Sequence, residues 1–121
     1  MKIISLFLIT IFFSLILTHE RAYSSEKIKI GLMVPLTGEY KSIGKSILNA
    51  TKLAINKINN DNVLIVPKDT KGNPEITLKV AKELRDNDVK IVIGPLFYKN
   101  LIYLNELNKM IFLTLSNKVL E

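Results

Sequence analysis

Residues 27–59 read KIKIGLMVPLTGEYKSIGKSILNATKLAINKIN, and the period of the apolar residues changes inside this stretch. Over 27–34, Ile28, Ile30, Leu32 and Val34 alternate onto one side of a strand, and Met33 helps cover the other. Pro35 stops the strand. Over 42–60, Ile43, Ile47, Ala50, Ala54 and Ile58 recur at three- and four-residue spacing, flanked by Leu48, Thr51 and Ile55. That is an amphipathic helix whose other face carries Lys and Asn. A strand running directly into such a helix is the first half of a βαβ unit, and this pair decides the fold.

The pattern then repeats. VLIVP (63–67) is a short buried strand, and DTKGNP (69–74) is a turn that becomes a helix start. There Asn73 suits the cap, Pro74 the first helical position and Glu75 the positive end of the dipole. The helix over 75–87 offers Ile76, Leu78, Val80, Ala81 and Leu84 as its buried side. VKIVI (89–93) is apolar nearly throughout, as expected of a parallel strand covered on both faces. A third helix is expected over 99–110, with Leu101, Leu104 and Leu107 along one face, and a fourth strand over 111–116. Strand–helix alternation at this spacing predicts an α/β fold: an open, doubly wound parallel sheet of order βαβαβαβ with right-handed crossovers.

The amino terminus reads differently. Met1-Lys2 is followed by an uncharged apolar run from Ile3 to Thr18, then by HERAYSS. Ala22 and Ser24 place small residues at the −3 and −1 positions of a cleavage site. Residues 1–24 are therefore expected to be a signal peptide, with 25–121 the exported domain. An uncleaved anchor is the alternative, although the run is short for a bilayer that takes about 20 helical residues.

Composition excludes several chemistries. There is no Cys in the 121 residues, and the one His, His19, lies in the expected signal peptide. A domain without either cannot build a His-dependent triad, a zinc centre of His and Cys, or a disulfide framework. Loss of Lys2, Arg21 and Glu20 with the signal peptide lowers the formal charge from +6 to +5. The lysines are scattered rather than gathered into a basic stripe, so no nucleic-acid partner is expected.

In an open α/β sheet, ligands sit beyond the carboxyl ends of the strands near the topological switch point. Four loops make that edge: 35–44, 69–73, 94–99 and 116–118. GEYKSIGKS (38–46) ends like a phosphate-binding loop, but five residues separate Gly38 from Gly44 where that motif has four. Bulky Tyr40 also occupies a place where the backbone must approach phosphate. Glu39 and Asp69 both reach the edge, but a solvated Glu and a turn-forming Asp account for them without acid–base catalysis. No enzyme activity, metal or cofactor is expected.

The stretch 27–59 resembles the opening of type I periplasmic binding proteins, the group of the leucine/isoleucine/valine receptors. In that family the first strand ends in Pro-Leu-[Ser/Thr]-Gly, and a loop leads through Gly to a long helix. Pro35, Leu36, Thr37, Gly38 and Gly44 hold those positions here. The resemblance covers essentially all of 27–121. Its most specific parts are 35–44, PKDTKGNPE (67–75), IGPLF (93–97) and LSN (115–117). Amino-acid receptors usually carry Ser or Thr soon after the Gly-Pro of the third strand, to hold the ligand carboxylate. Here the loop reads Gly94-Pro95-Leu96-Phe97-Tyr98. DTKGNPE, GPLF and LSN together look more like the penicillin-binding protein activators, envelope proteins that regulate peptidoglycan synthesis by protein contact. Some of these are lipoproteins, and the absent Cys departs from that pattern.

The resemblance implies a non-enzymatic periplasmic module. Its expected partner is a peptidoglycan synthase; the alternative is a receptor that delivers branched-chain or other amino acids to an ABC permease. It implies a ligand edge made by Thr37, Gly38, Tyr40, Asp69, Phe97, Tyr98, Ser116 and Asn117. Thr37, Ser116 and Asn117 would supply hydrogen bonds to a small-molecule ligand, and Tyr40, Phe97 and Tyr98 an apolar wall. Type I proteins have two lobes, so 25–121 is expected to be a partial amino-terminal lobe that lacks the second.

Overall fold

A computed structural model describes residues 27–116. The expected signal peptide and Asn117 lie outside the described residues. The order is β1 (Ile28–Val34), α1 (Lys41–Ile58), β2 (Val63–Asp69), α2 (Pro74–Asp86), β3 (Ile91–Ile93), two 3-10 segments η1 (Tyr98–Asn100) and η2 (Ile102–Glu106), and β4 (Ile111–Leu113). The four strands form one parallel sheet in the order β2-β1-β3-β4. Moving from β1 to β2 and then back across to β3 reverses direction, so right-handed crossovers place α1 and α2 on opposite faces. The switch point falls between β1 and β3.

The α2 face holds the core. Met33 and Val92 pack with Val80, Ala81, Leu84 and Val89, and with Leu101, Leu104 and Leu107 from the segment after β3. The expected third α-helix is instead the 3-10 pair η1 and η2. Its leucines are spaced at three residues throughout, which is the 3-10 period, not the 3.6 of an α-helix. The backbone bonds follow that period: Leu101 N–H donates to Tyr98 O, Leu104 N–H to Leu101 O, and Leu107 N–H to Leu104 O, each at 2.9 Å. The three side chains thereby stand in one buried row.

The α1 face differs from the sequence expectation. Gly44 is the buried residue of α1, and Leu48, Thr51 and Ile55 are the half-buried side chains in line with it. A Cβ at Gly44 would overlap the Pro35 carbonyl oxygen, so this glycine seats the helix on the end of β1. The predicted core stripe is rotated off the sheet: Ile43 is 49% exposed and Ile58 62%. Ile47 alone of that stripe is half-buried. Phe112 of β4 packs against the α2-side core, so by strand alternation Ile111 and Leu113 point to the α1 face, where both are exposed. Among the described residues, one helix covers the β1–β2 half of that face, and none covers the β3–β4 half. No described helix is long and apolar enough to cross a membrane.

Candidate functional site

The carboxyl ends of β1, β2 and β3 meet at the switch point, and Asp69 ties the first two loops together. It ends β2 in register with Val34, the last residue of β1. Its Oδ1 accepts from the backbone N–H of Leu36 (2.8 Å), Thr37 (3.3 Å) and Lys71 (2.9 Å). Its Oδ2 accepts from the Thr37 hydroxyl at 2.5 Å. Burial pushes the Asp69 carboxyl up, but the Thr37 hydroxyl and the three N–H groups outweigh it and hold the carboxyl below its ordinary value. Thr37 and Asp69 thus brace the loops and are committed to each other. Gly38, with φ +80°, turns the chain between them and Tyr40.

Tyr40 and Phe97 bring the loops after β1 and β3 into contact. Their rings meet edge to face, with centroids 4.7 Å apart and planes at 63°. Beneath them lies Gly72 of the β2 loop, at φ +70°. A Cβ there would stand 3.1 Å from Tyr40 Cδ2 and 3.4 Å from Phe97 Cε2. A side chain at 72 would be strained in this backbone and would crowd both rings.

These residues bound a cavity of about 260 Å³. Tyr40, Phe97 and Tyr98 contribute aromatic walls, Gly72 and Pro74 the β2-loop side, and Lys99 and Asn100 the η1 side. Asn100 is the most buried of these residues, at 1% exposure. Pro74 is the first residue of α2, whose cap forms as the sequence predicts: the Asn73 side chain accepts from Ile76 N–H at 3.0 Å.

Of the expected ligand residues, Tyr40, Phe97 and Tyr98 line the cavity. Thr37, Gly38 and Asp69 form the brace beside it. Ser116 is not among its lining residues. Sequence reasoning missed Gly72, Pro74, Lys99 and Asn100. Gly72 and Pro74 stood out in the DTKGNP turn, but as turn and helix-start residues only. Asn100 had no signal, because its position depends on η1. Gly44-Lys45-Ser46 lies within α1, where the Ser46 hydroxyl bonds to Ser42 O at 3.0 Å, and forms no phosphate cradle. Among the described residues no cluster of His, Cys, Asp or Glu could hold a metal ion.

Residues 27–106 match the model of a family described as periplasmic binding protein. The chain belongs to this family, whose members are binding proteins and not enzymes. No curated protein is a significant match. Among solved structures it is similar to the leucine-binding protein LivK from Thermotoga maritima, at 21% identity and TM-score 0.66, covering 72% of this chain and 27% of that one. It is also similar to an ABC-transporter solute-binding protein from Rhodopseudomonas palustris BisB5, solved with 3,4-dihydroxybenzoic acid. That match has 33% identity and TM-score 0.63, covering 68% and 24%. A third is the C-domain of LpoA from Haemophilus influenzae, a regulator of PBP1A, at 23% identity and TM-score 0.63, covering 74% and 28%. The chain spans about a quarter of the length of these relatives.

Proposed function

We propose that this chain is part of a non-enzymatic periplasmic regulatory module that acts as the penicillin-binding protein activators do, by contact with a peptidoglycan synthase. In this reading residues 1–24 direct export, and 25–121 form part of the amino-terminal lobe. The observation that carries it is the chemistry of the carboxyl edge. An amino-acid receptor needs hydroxyl and N–H groups gathered around the ligand carboxylate. Here the Thr37 hydroxyl is bound to Asp69, and the loop after β3 reads Leu96-Phe97-Tyr98, of which Phe97 and Tyr98 line the cavity. The aromatic walls suit a ring or an apolar side chain better than a zwitterion. Calorimetry of the complete protein with leucine, isoleucine and valine tests this reading, together with co-purification of a peptidoglycan synthase. Absence of amino-acid binding with recovery of the synthase is expected. Micromolar amino-acid binding would overturn it.

A second reading, a solute receptor for an ABC permease, is favoured by one observation. The Rhodopseudomonas relative, at 33% identity, was solved with an aromatic acid, and the cavity here is walled by three aromatic rings beside Lys99. In that reading the solute is an aromatic carboxylate, not an amino acid.

A further inference from the structure

The uncovered half of the α1 face and the rotated stripe of α1 belong to one surface. Successive helix residues turn by about 100°, so Ile43, Ile47, Ala54 and Ile58 stand about a quarter turn from the buried line of Gly44, Leu48, Thr51 and Ile55. The helix and the β1–α1–β2 crossover are both right-handed. Together they put that stripe on the β3 side of α1, and Lys41, Lys45 and Lys52 on the β2 side. The helix packs on β1 and β2 and reaches neither β3 nor β4. Beside it, Ile91, Ile93, Ile111 and Leu113 alternate with the core-facing Val92 and Phe112 and make an all-aliphatic floor. Two strands span about 10 Å, which is room for one helix. The connection into β4 runs on the opposite face, where its leucines join the core, so nothing among the described residues fills this trough.

The chain thus carries a helix with an uncovered apolar side and a sheet half without a helix. We propose that a second copy of this chain satisfies both, in a twofold dimer whose axis runs along α1. The rotation lays each α1 in the trough of the other copy. The two stripes then meet at Ala54, whose small side chain lets the helices approach. Leu53, about half a turn from the buried line of α1 and 69% exposed, points at the β3–β4 floor of the other copy. Its height matches that floor. Gly44 seats at Pro35, and the rise from Gly44 to Leu53 equals about four strand residues, which makes Leu53 level with Gly31. Gly31 is in register with Val92 and Phe112, so Leu53 falls between Ile111 and Leu113. Ile43, Leu53, Ile58, Ile111 and Leu113 are 49–69% exposed. Each leaves on the order of 100 Å² bare, so the dimer buries about 1,000 Å² in total, the size at which specific interfaces begin. The contact is self-complementary, as a twofold interface requires. It lies along the sheet, apart from the cavity at the carboxyl edge, so it stands or falls independently of what that edge binds.

The sequence has no Cys, so a single introduced cysteine reports its neighbours cleanly. In the full chain under mild oxidation, Ala54→Cys is expected to give a disulfide-linked dimer, and Lys52→Cys, on the β2 side of the same helix, is not. Mixing Leu53→Cys with Leu113→Cys is expected to link the two variants to each other more than either to itself. Sedimentation equilibrium of the wild type is expected to show a concentration-dependent dimer. Leu53→Lys is expected to raise its Kd by about tenfold or more. Because Leu53 is bare in the single copy, thermal unfolding of the dissociated chain should not change with that variant. A wild-type chain that stays monomeric at every concentration would overturn the proposal. So would equal cross-linking at positions 52 and 54, or a dimer that Leu53→Lys leaves unchanged, since either would place the association on another surface.

Discussion

Asp69 holds Thr37 through both of its carboxylate oxygens, one on the Thr37 N–H at 3.3 Å and the other on its hydroxyl at 2.5 Å. The same carboxylate bonds Leu36 and Lys71, so it fastens the β1 loop to the β2 loop beneath the Tyr40–Phe97 contact. Hydrogen bonds to a charged group each contribute roughly 1.5–3 kcal/mol. Asp69→Ala is accordingly expected to destabilise the fold by about 2 kcal/mol, and Thr37→Val by about 1 kcal/mol. Urea unfolding of both single variants and the double variant measures this. Strict additivity would show that the pair is not coupled.

The acid limb of stability follows from the same carboxylate. Asp69 has its folded pKa held below the ordinary 3.8, so its contribution is fully present above that value. It is lost as pH falls below 3.8 through the folded pKa. Glu83 is lowered likewise, chiefly by its hydrogen bond to Lys68, and titrates in the same direction. Denaturant unfolding between pH 6 and pH 2.5 should therefore show a steeper acid loss in the wild type than in Asp69→Asn. Parallel profiles would remove Asp69 from the account.

The two faces of the sheet should respond differently to substitution. Leu84 is fully buried under α2, and Leu84→Ala is expected to cost about 2–5 kcal/mol. Leu53 on α1 is 69% exposed, and Leu53→Lys is expected to change stability by less than about 0.5 kcal/mol. Gly44→Ala should behave like a core change despite its place on α1, because the new methyl would meet the Pro35 carbonyl. Thermal unfolding of the three variants checks the order; a Leu53→Lys loss as large as that of Leu84→Ala would contradict the observed seating of α1.

The strands, the first two helices and the cap at Asn73 were legible in the sequence because each is set by local period and local hydrogen bonding. The rotation of α1 was not legible. Its apolar arc is wider than the sheet covers, and the seat is chosen by one glycine against a proline carbonyl 9 positions earlier in the chain. The 3-10 segments were within reach, since Leu101, Leu104 and Leu107 keep a spacing of three that an α-helix cannot hold on one line. In the candidate site, aromatic Tyr40, Phe97 and Tyr98 were legible as an edge wall. Asp69 was legible as an edge residue, while its bonds to Thr37 depend on how two loops meet. Asn100 became visible only when η1 brought it into the cavity lining.

The central claim is that this carboxyl edge does not receive an amino acid. Its most direct measurement is calorimetric titration of the complete protein with leucine. The account predicts no measurable heat of binding at millimolar ligand, because Thr37 is bound to Asp69 and the loop after β3 carries Leu96, Phe97 and Tyr98 with no Ser or Thr among them. A saturable isotherm with micromolar Kd would contradict it.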